Sequence, residues 1–90
     1  MKIKQTAQAG SLESCDILIT IEPVKTGSGI DIDLESPGEK PFGDKIRSEI
    51  TETLHKYDIK DAKIIAVDKG ALGYCIKARV ETALKRASEK

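Results

Sequence analysis

Aromatic residues and histidine are scarce in this sequence, and both shortages argue against whole classes of function. The 90 residues include no tryptophan, and their aromatics are Phe42, Tyr57 and Tyr74, too few for a surface that stacks nucleic-acid bases. Lysine and arginine total 15, as do aspartate and glutamate, so the chain lacks the basic excess of a nucleic-acid binder. His55, the single histidine, has no histidine or cysteine partner at metal-ligand spacing. We therefore expect no nucleic-acid partner, no metal site and no catalytic histidine.

Cysteines and long apolar runs are also few. Cys15 and Cys75 are too few to form a disulfide scaffold. No run approaches the roughly 20 apolar residues of a membrane span, and residues 1–8 lack the apolar core of a secretory signal. We therefore expect a cytoplasmic protein with two free thiols and no membrane partner.

The length predicts one small domain over residues 1–90. A domain of this size buries only about 60% of the surface that its unfolded chain exposes, which leaves little room for a catalytic cavity. Residues 1–13 contain small residues and no clean period, so we predict that they form a flexible N-terminal arm.

Two strands are predicted in the first half of the chain. Cys15 to Glu22 is rich in β-branched residues and ends before Pro23. Ile30 to Leu34 alternates between apolar and acidic residues, which is typical of a strand with one wet face. Because the flexible Gly27-Ser28-Gly29 lies between them, we predict that these two strands form a hairpin.

Two helices and a third strand follow. Pro41 suits the first turn of the first helix. Asp61 to Asp68 contains a short apolar strand. Asp68 is then a plausible N-cap for a second helix, which ends near Ser88. The apolar stripe of the first helix comprises Phe42, Ile46, Ile50, Leu54 and Tyr57, and that of the second comprises Leu72, Ile76, Val80, Ala83, Leu84 and Ala87.

The predicted fold is a small α+β domain in the order β-β-α-β-α. The second strand, the first helix and the third strand should form a crossover unit. We expect a three-stranded sheet with both helices packed on one face, and we place the very apolar first strand in the middle.

Several other groups could form sites, and each has a plainer explanation. Cys15 lies beside acidic residues that disfavour a thiolate, and Cys75 is best explained as a small, partly buried hydrophobe. Gly70 and Gly73 could hold a phosphate at a helix start, but a tight strand-to-helix connection explains them better. The second helix also has a basic face that is either simply solvated or meets an acidic or phosphate-rich partner; its residues are Lys77, Arg79, Lys85, Arg86 and Lys90.

Ser14 lies in the polar stretch between Gly10 and Asp16, just before the first apolar run. No histidine or lysine is nearby in the sequence to activate its hydroxyl, so a catalytic triad has no support. From the residues alone it is an exposed loop serine.

Separated motifs resemble one family over the whole length of the chain. They are Ala9 to Ile17 followed by a strand and Glu22-Pro23, then Pro41-Phe42-Gly43, then Val67 to Leu72 with Ala78-Arg79-Val80 after it. In this order they resemble the acyl carrier protein, or gamma chain, of citrate lyase.

The resemblance implies that Ser14 carries a phosphodiester-linked 2'-(5''-phosphoribosyl)-3'-dephospho-coenzyme A. Cys15 stands where members of the family have a second serine, which leaves Ser11 as the alternative attachment residue. The carrier itself would be non-catalytic, holding acetyl or citryl as a thioester on the arm while citrate is cleaved to acetate and oxaloacetate.

The implied partners are an alpha subunit that exchanges acetyl for citryl, a beta subunit that cleaves the citryl group, and a transferase that attaches the prosthetic group. Two alternatives stay open at this point. One is the acyl carrier subunit of malonate decarboxylase, which uses the same kind of group, and the other is a small adaptor domain without a cofactor.

Overall fold

The computed structural model describes residues 1–38 and 40–89. The helices and strands, in chain order, are β1 (Ala7–Gly10), β2 (Ile17–Glu22), β3 (Ile30–Glu35), α1 (Lys40–Lys56), β4 (Ala62–Asp68) and α2 (Gly73–Ser88).

The sheet has four strands in the order β1-β2-β4-β3. β2 pairs antiparallel with both β1 and β4, while β3 pairs parallel with β4. The predicted crossover from β3 through α1 to β4 is therefore confirmed. The predicted three-stranded sheet is wrong, because the sheet also includes β1.

β1 lies in the segment predicted as a flexible arm, and that prediction is wrong for Ala7–Gly10. Ala7 lies opposite Ile21 and Gly10 opposite Leu18 in the antiparallel ladder, and Ala9 is only 3% exposed. The preceding residues are also fixed, since the backbone N–H groups of Lys4 and Gln5 donate to the carbonyl oxygen of Ala87 at 2.8 and 3.1 Å.

The predicted hairpin between β2 and β3 is wrong, because β4 lies between them. β4 is the better partner for both, since it is buried at every second residue from Ala62 to Asp68 and thus supplies an apolar interior strand. β2 is an interior strand as predicted, but its neighbours are β1 and β4.

The core lies between one face of the sheet and the two helices. Burial alternates along β4, so only one of its faces is fully covered, and α1 and α2 contact each other over that face. The largest fully buried side chains are Ile17, Ile19, Ile21, Ile50, Leu54, Ile64, Val80 and Leu84. No helix in the described residues is long and apolar enough to cross a membrane.

The starts of both helices differ from the prediction. The predicted apolar stripes include Phe42 and Leu72, yet these residues are 61% and 60% exposed. α2 begins at Gly73 with Leu72 as its N-cap, so the prediction of Asp68 as the cap is wrong. Asp68 is instead the last residue of β4, and its buried carboxylate accepts hydrogen bonds from the Ala71 N–H at 3.0 Å and the Ser36 hydroxyl at 3.2 Å.

Candidate functional site

Three loops meet at one end of the molecule. Residues 11–16 connect β1 to β2, residues 36–38 follow β3, and residues 69–72 connect β4 to α2. Ile17 lies opposite Asp68, and β3 runs parallel to β4, so these loops and the first turns of both helices share that end. We call residues 11–16 the Ser14 loop and this end of the molecule the Ser14 end.

Backbone hydrogen bonds fasten the Ser14 loop to the segment after β4. The Cys15 N–H donates to the Lys69 carbonyl at 2.8 Å, and the Lys69 N–H donates to the Asp16 carbonyl at 2.9 Å. Within the loop, the Asp16 N–H donates to the Glu13 carbonyl at 3.2 Å. The loop is therefore held in position while its middle residues, Leu12 to Cys15, are exposed.

The Asp16 carboxylate organises the same loop through its side chain. Arg79 from α2 donates to both of its oxygens, from Nε at 3.0 Å and from Nη2 at 3.1 Å. The Ser11 hydroxyl and the Ile17 N–H each donate to it at 2.7 Å. These donors, Arg79 first and then Ser11, hold the pKa of Asp16 far below its usual value, and Asp16 in turn raises the pKa of Arg79.

Because of the Asp16–Arg79 pair, we predict that the free energy of unfolding decreases in acid. Because the folded state lowers the pKa of Asp16 below its usual 3.8, the stabilisation is complete above that pH and is lost as the pH falls through the folded pKa. We expect Asp16→Asn to lower the free energy of unfolding by about 1–3 kcal/mol at pH 7, and we expect this difference from the wild type to shrink at pH 3.

Urea unfolding at the two pH values measures this effect. Asp33→Asn is the matched control, because it makes the same chemical change at an exposed position of β3. A deficit for Asp16→Asn that is as large at pH 3 as at pH 7 would show that the charge of Asp16 contributes nothing.

The backbone is unusual at two residues, one directly before the Ser14 loop and one within it. Gly10 has φ +97°, and a Cβ atom there would lie 1.8 Å from the carbonyl oxygen of Ile17, so only glycine fits. Cys15 has φ +64°, a left-handed conformation that costs a non-glycine residue roughly 1–2 kcal/mol. Such strain directly after Ser14 is typical of residues held in place at functional sites.

The two serines of the loop have different environments. The half-buried Ser11 hydroxyl donates to Asp16 and also accepts the Glu13 N–H at 3.2 Å. Ser14 is exposed, and no group in residues 1–38 or 41–89 is hydrogen-bonded to its hydroxyl. The Ser14 oxygen is thus the accessible one of the two.

The other predicted candidates lie where their plainer explanations placed them. Cys75 is half-buried, and burial together with Asp16 raises the pKa of its thiol, as expected for an unreactive cysteine. His55 is exposed on α1. A Cβ on Gly73 would lie 3.2 Å from Glu49 Oε1. A carboxylate thus already lies at the start of α2, and a phosphate there would meet a negative charge.

Some basic residues of α2 already have partners within the chain. Lys77 lies 3.3 Å from a Glu49 oxygen, and Arg86 donates to the Gln8 carbonyl at 2.8 Å, whereas Lys90 is outside the described residues. Sequence reasoning placed Arg79 on the basic face of α2 but missed its pairing with Asp16. The two residues are 63 positions apart, and no local pattern connects them.

Beside the Ser14 loop lies an open hollow with cationic side chains. It is lined by Ser11, Glu13 and Asp16 from the loop and by Arg79 and Arg86 from α2. Unlike Arg79, whose charge is matched by Asp16, Arg86 makes its hydrogen bond to a neutral carbonyl. A guanidinium in this state can still interact with an anion.

Comparisons with known proteins give consistent results over nearly the full chain. A family model described as "Malonate decarboxylase delta subunit (MdcD)" matches residues 4–87. A protein of Lactobacillus helveticus named citrate lyase acyl carrier protein is 54% identical over 89 residues, which is 99% of this chain and 90% of that protein. Proteins of the same name from Oenococcus oeni and Streptococcus mutans are 55% identical over 87 residues and 54% identical over 89 residues, and cover 97% and 99% of this chain.

A solved structure shares the fold. It is a Pseudomonas malonate decarboxylase hetero-tetramer in complex with malonate, and one of its chains superposes with a TM-score of 0.67 at 18% sequence identity. The match covers 96% of this chain and 87% of that one. At this identity the comparison supports the architecture alone.

Proposed function

This chain belongs to the family of citrate lyase acyl carrier proteins, and on that premise we propose that it holds its acyl group on a prosthetic arm bound covalently to the Ser14 hydroxyl. The observation that carries the assignment is the contrast between the two serines of the loop. The Ser11 hydroxyl is engaged with Asp16, whereas Ser14 is exposed on a loop fastened at Cys15 and Asp16.

The proposed arm is 2'-(5''-phosphoribosyl)-3'-dephospho-coenzyme A, joined through a phosphodiester. The chemistry of the residues fits this group, because the arm is anionic near its point of attachment and the hollow beside the loop is lined by Arg86, which is hydrogen-bonded to a neutral carbonyl. When attached, the arm supplies a thiol that holds acetyl or citryl as a thioester.

The task of the chain itself is to present the arm and to dock. The proposed partners are an alpha subunit that exchanges acetyl for citryl and a beta subunit that releases oxaloacetate. Covalent tethering replaces a bimolecular encounter by a local concentration of order mM at each partner. The reactive groups belong to the arm and to the partner subunits.

Attachment of the arm needs a separate enzyme. Among the side chains of residues 1–38 and 41–89, none is hydrogen-bonded to the Ser14 hydroxyl, so the proposal assigns removal of the Oγ proton to a base of the attaching enzyme. A transferase specific for the prosthetic group is therefore part of the proposal.

A carrier role in malonate decarboxylase is the second candidate. It is favoured by the description of the matching family model. The relatives described above at 54–55% identity bear the citrate lyase name, so citrate lyase is the first candidate.

Reconstitution with each set of partners tests the choice. We expect the loaded protein to restore the release of oxaloacetate from citrate when it is mixed with citrate lyase alpha and beta subunits, and to support no decarboxylation of malonate with malonate decarboxylase subunits. Oxaloacetate is followed through its reduction by malate dehydrogenase, and unloaded protein is the control. Activity with the malonate subunits alone would reverse the assignment.

A further inference from the structure

Large apolar side chains are unevenly distributed over the surface. Among residues 1–38 and 40–89, the exposed ones are Met1, Leu12, Val24, Phe42, Leu72 and Tyr74. Met1 and Val24 line a hollow with residues 58–61, which lie between α1 and β4. The other four lie in loops or first helical turns at the opposite end, which is the Ser14 end.

Each of these four residues belongs to an element of the Ser14 end. Leu12 is in the Ser14 loop, and Leu72 is in the segment whose Lys69 fastens that loop. Phe42 is in the first turn of α1 and lines one groove together with Leu72. Tyr74, in the first turn of α2, is 75% exposed. We call Leu12, Phe42, Leu72 and Tyr74 the apical patch.

Folding of the isolated chain leaves the side chains of the apical patch mostly exposed. Apolar surface contributes about 25 cal/mol per Å² when it is removed from water, and these side chains remain mostly in water. Exposed apolar groups that lie together, as Phe42 and Leu72 do in one groove, commonly mark interaction sites, and aromatic residues are enriched in the cores of protein interfaces. The side chains of Lys45 and Glu49 beside the groove have opposite charges, so burial rather than charge would dominate docking here.

We propose that the apical patch is the docking surface for the enzyme that attaches the arm to Ser14, an inference that rests on the function proposed above. That enzyme forms an Oγ–phosphorus bond while a base of its own takes the hydroxyl proton and the leaving group of a phosphate-activated nucleotide donor departs with its electron pair. Its active site must therefore cover the atoms around Oγ. The partner is a nucleotide-binding enzyme whose donor site is bordered by an apolar surface.

The lyase subunits do not face the same requirement. They act at the far end of a long flexible arm, so their active sites can receive the acyl group without covering the Ser14 loop. We therefore expect loss of the apical patch to slow loading of the arm and to leave citrate cleavage by the loaded protein unchanged.

The test compares the double variant Leu72→Ser/Tyr74→Ser with the wild type and with Val24→Ser, which removes an exposed apolar side chain at the opposite end. All three side chains are exposed, and serine is a favourable residue at the N-cap position of Leu72, so we expect the variants to fold. The rate of mass gain with the purified attachment enzyme and its nucleotide donor gives kcat/KM for loading.

We expect kcat/KM for loading of the double variant to fall at least about tenfold, mainly through KM, and that of Val24→Ser to match the wild type. After prolonged incubation to full loading, all three proteins should support citrate cleavage equally. Unchanged loading of the double variant would overturn the inference, as would normal loading followed by defective cleavage. A wild-type protein that gains no mass at Ser14 would instead overturn the proposed function.

Discussion

Ser14→Ala should fold normally, gain no mass from the attachment enzyme, and leave citrate cleavage by the assembled subunits at the background seen without a carrier. The variant lacks the oxygen proposed to hold the arm, and the other hydroxyl of the loop, that of Ser11, is engaged with Asp16. Because Ser14 is exposed, we expect the free energy of unfolding to change by less than about 0.5 kcal/mol. Intact mass after coexpression with the attachment enzyme, together with urea unfolding, measures both effects.

Ser11→Ala is the matched control for this variant. Its hydroxyl donates to Asp16 at 2.7 Å, so we expect it to lose about 0.5–1.5 kcal/mol of stability and to accept the arm. The reverse pattern, with a loaded Ser14→Ala protein and an unloaded Ser11→Ala protein, would move the attachment site to Ser11.

Gly10→Ala should destabilise the fold more than Asp16→Asn does, by about 3 kcal/mol or more out of the 5–15 kcal/mol that is typical of small domains. A Cβ at this residue would lie 1.8 Å from the backbone carbonyl oxygen of Ile17, and φ is +97°. The chain can relieve this overlap only by moving β1 away from β2 or by distorting the Ser14 loop. The midpoint of urea unfolding measures the loss.

Gly27→Ala is the control that distinguishes the cost of the Cβ overlap at Gly10 from the cost of a positive φ. Gly27 has φ +92°, but a Cβ there would meet nothing within 4 Å. We therefore expect this control to lose only the roughly 1–2 kcal/mol of left-handed strain. Equal losses in the two variants would contradict the close packing of Gly10 against Ile17.

The sequence predicted both helices and the strands β2, β3 and β4, because each has a clear apolar period. It did not predict β1, whose Ala7, Ala9 and Gly10 have little strand propensity of their own; pairing with β2 supplies the missing stabilisation. The hairpin was wrong for a related reason. A flexible connection between two strands does not reveal that a third strand, β4, is the better neighbour for both.

Only part of the candidate site could be predicted from the sequence. Ser14 became a candidate only through the resemblance, because an unactivated loop serine has no local signature of function. The contact of Asp16 with Arg79 spans 63 positions and depends on the packing of α2 beside β1 and β2. Phe42 and Leu72 follow the helical period, but they lie where the helices begin, beyond the sheet that would have buried them.

Mass spectrometry of protein isolated from cells that produce it natively can show directly whether the Ser14 oxygen anchors the arm. Trypsin should release Gln5 to Lys25 as one peptide that contains both Ser11 and Ser14. We predict that this peptide has the full mass of the phosphoribosyl-dephospho-coenzyme A arm and that fragmentation places the added mass on Ser14. An unmodified Ser14 in an assembly that still cleaves citrate would contradict the account.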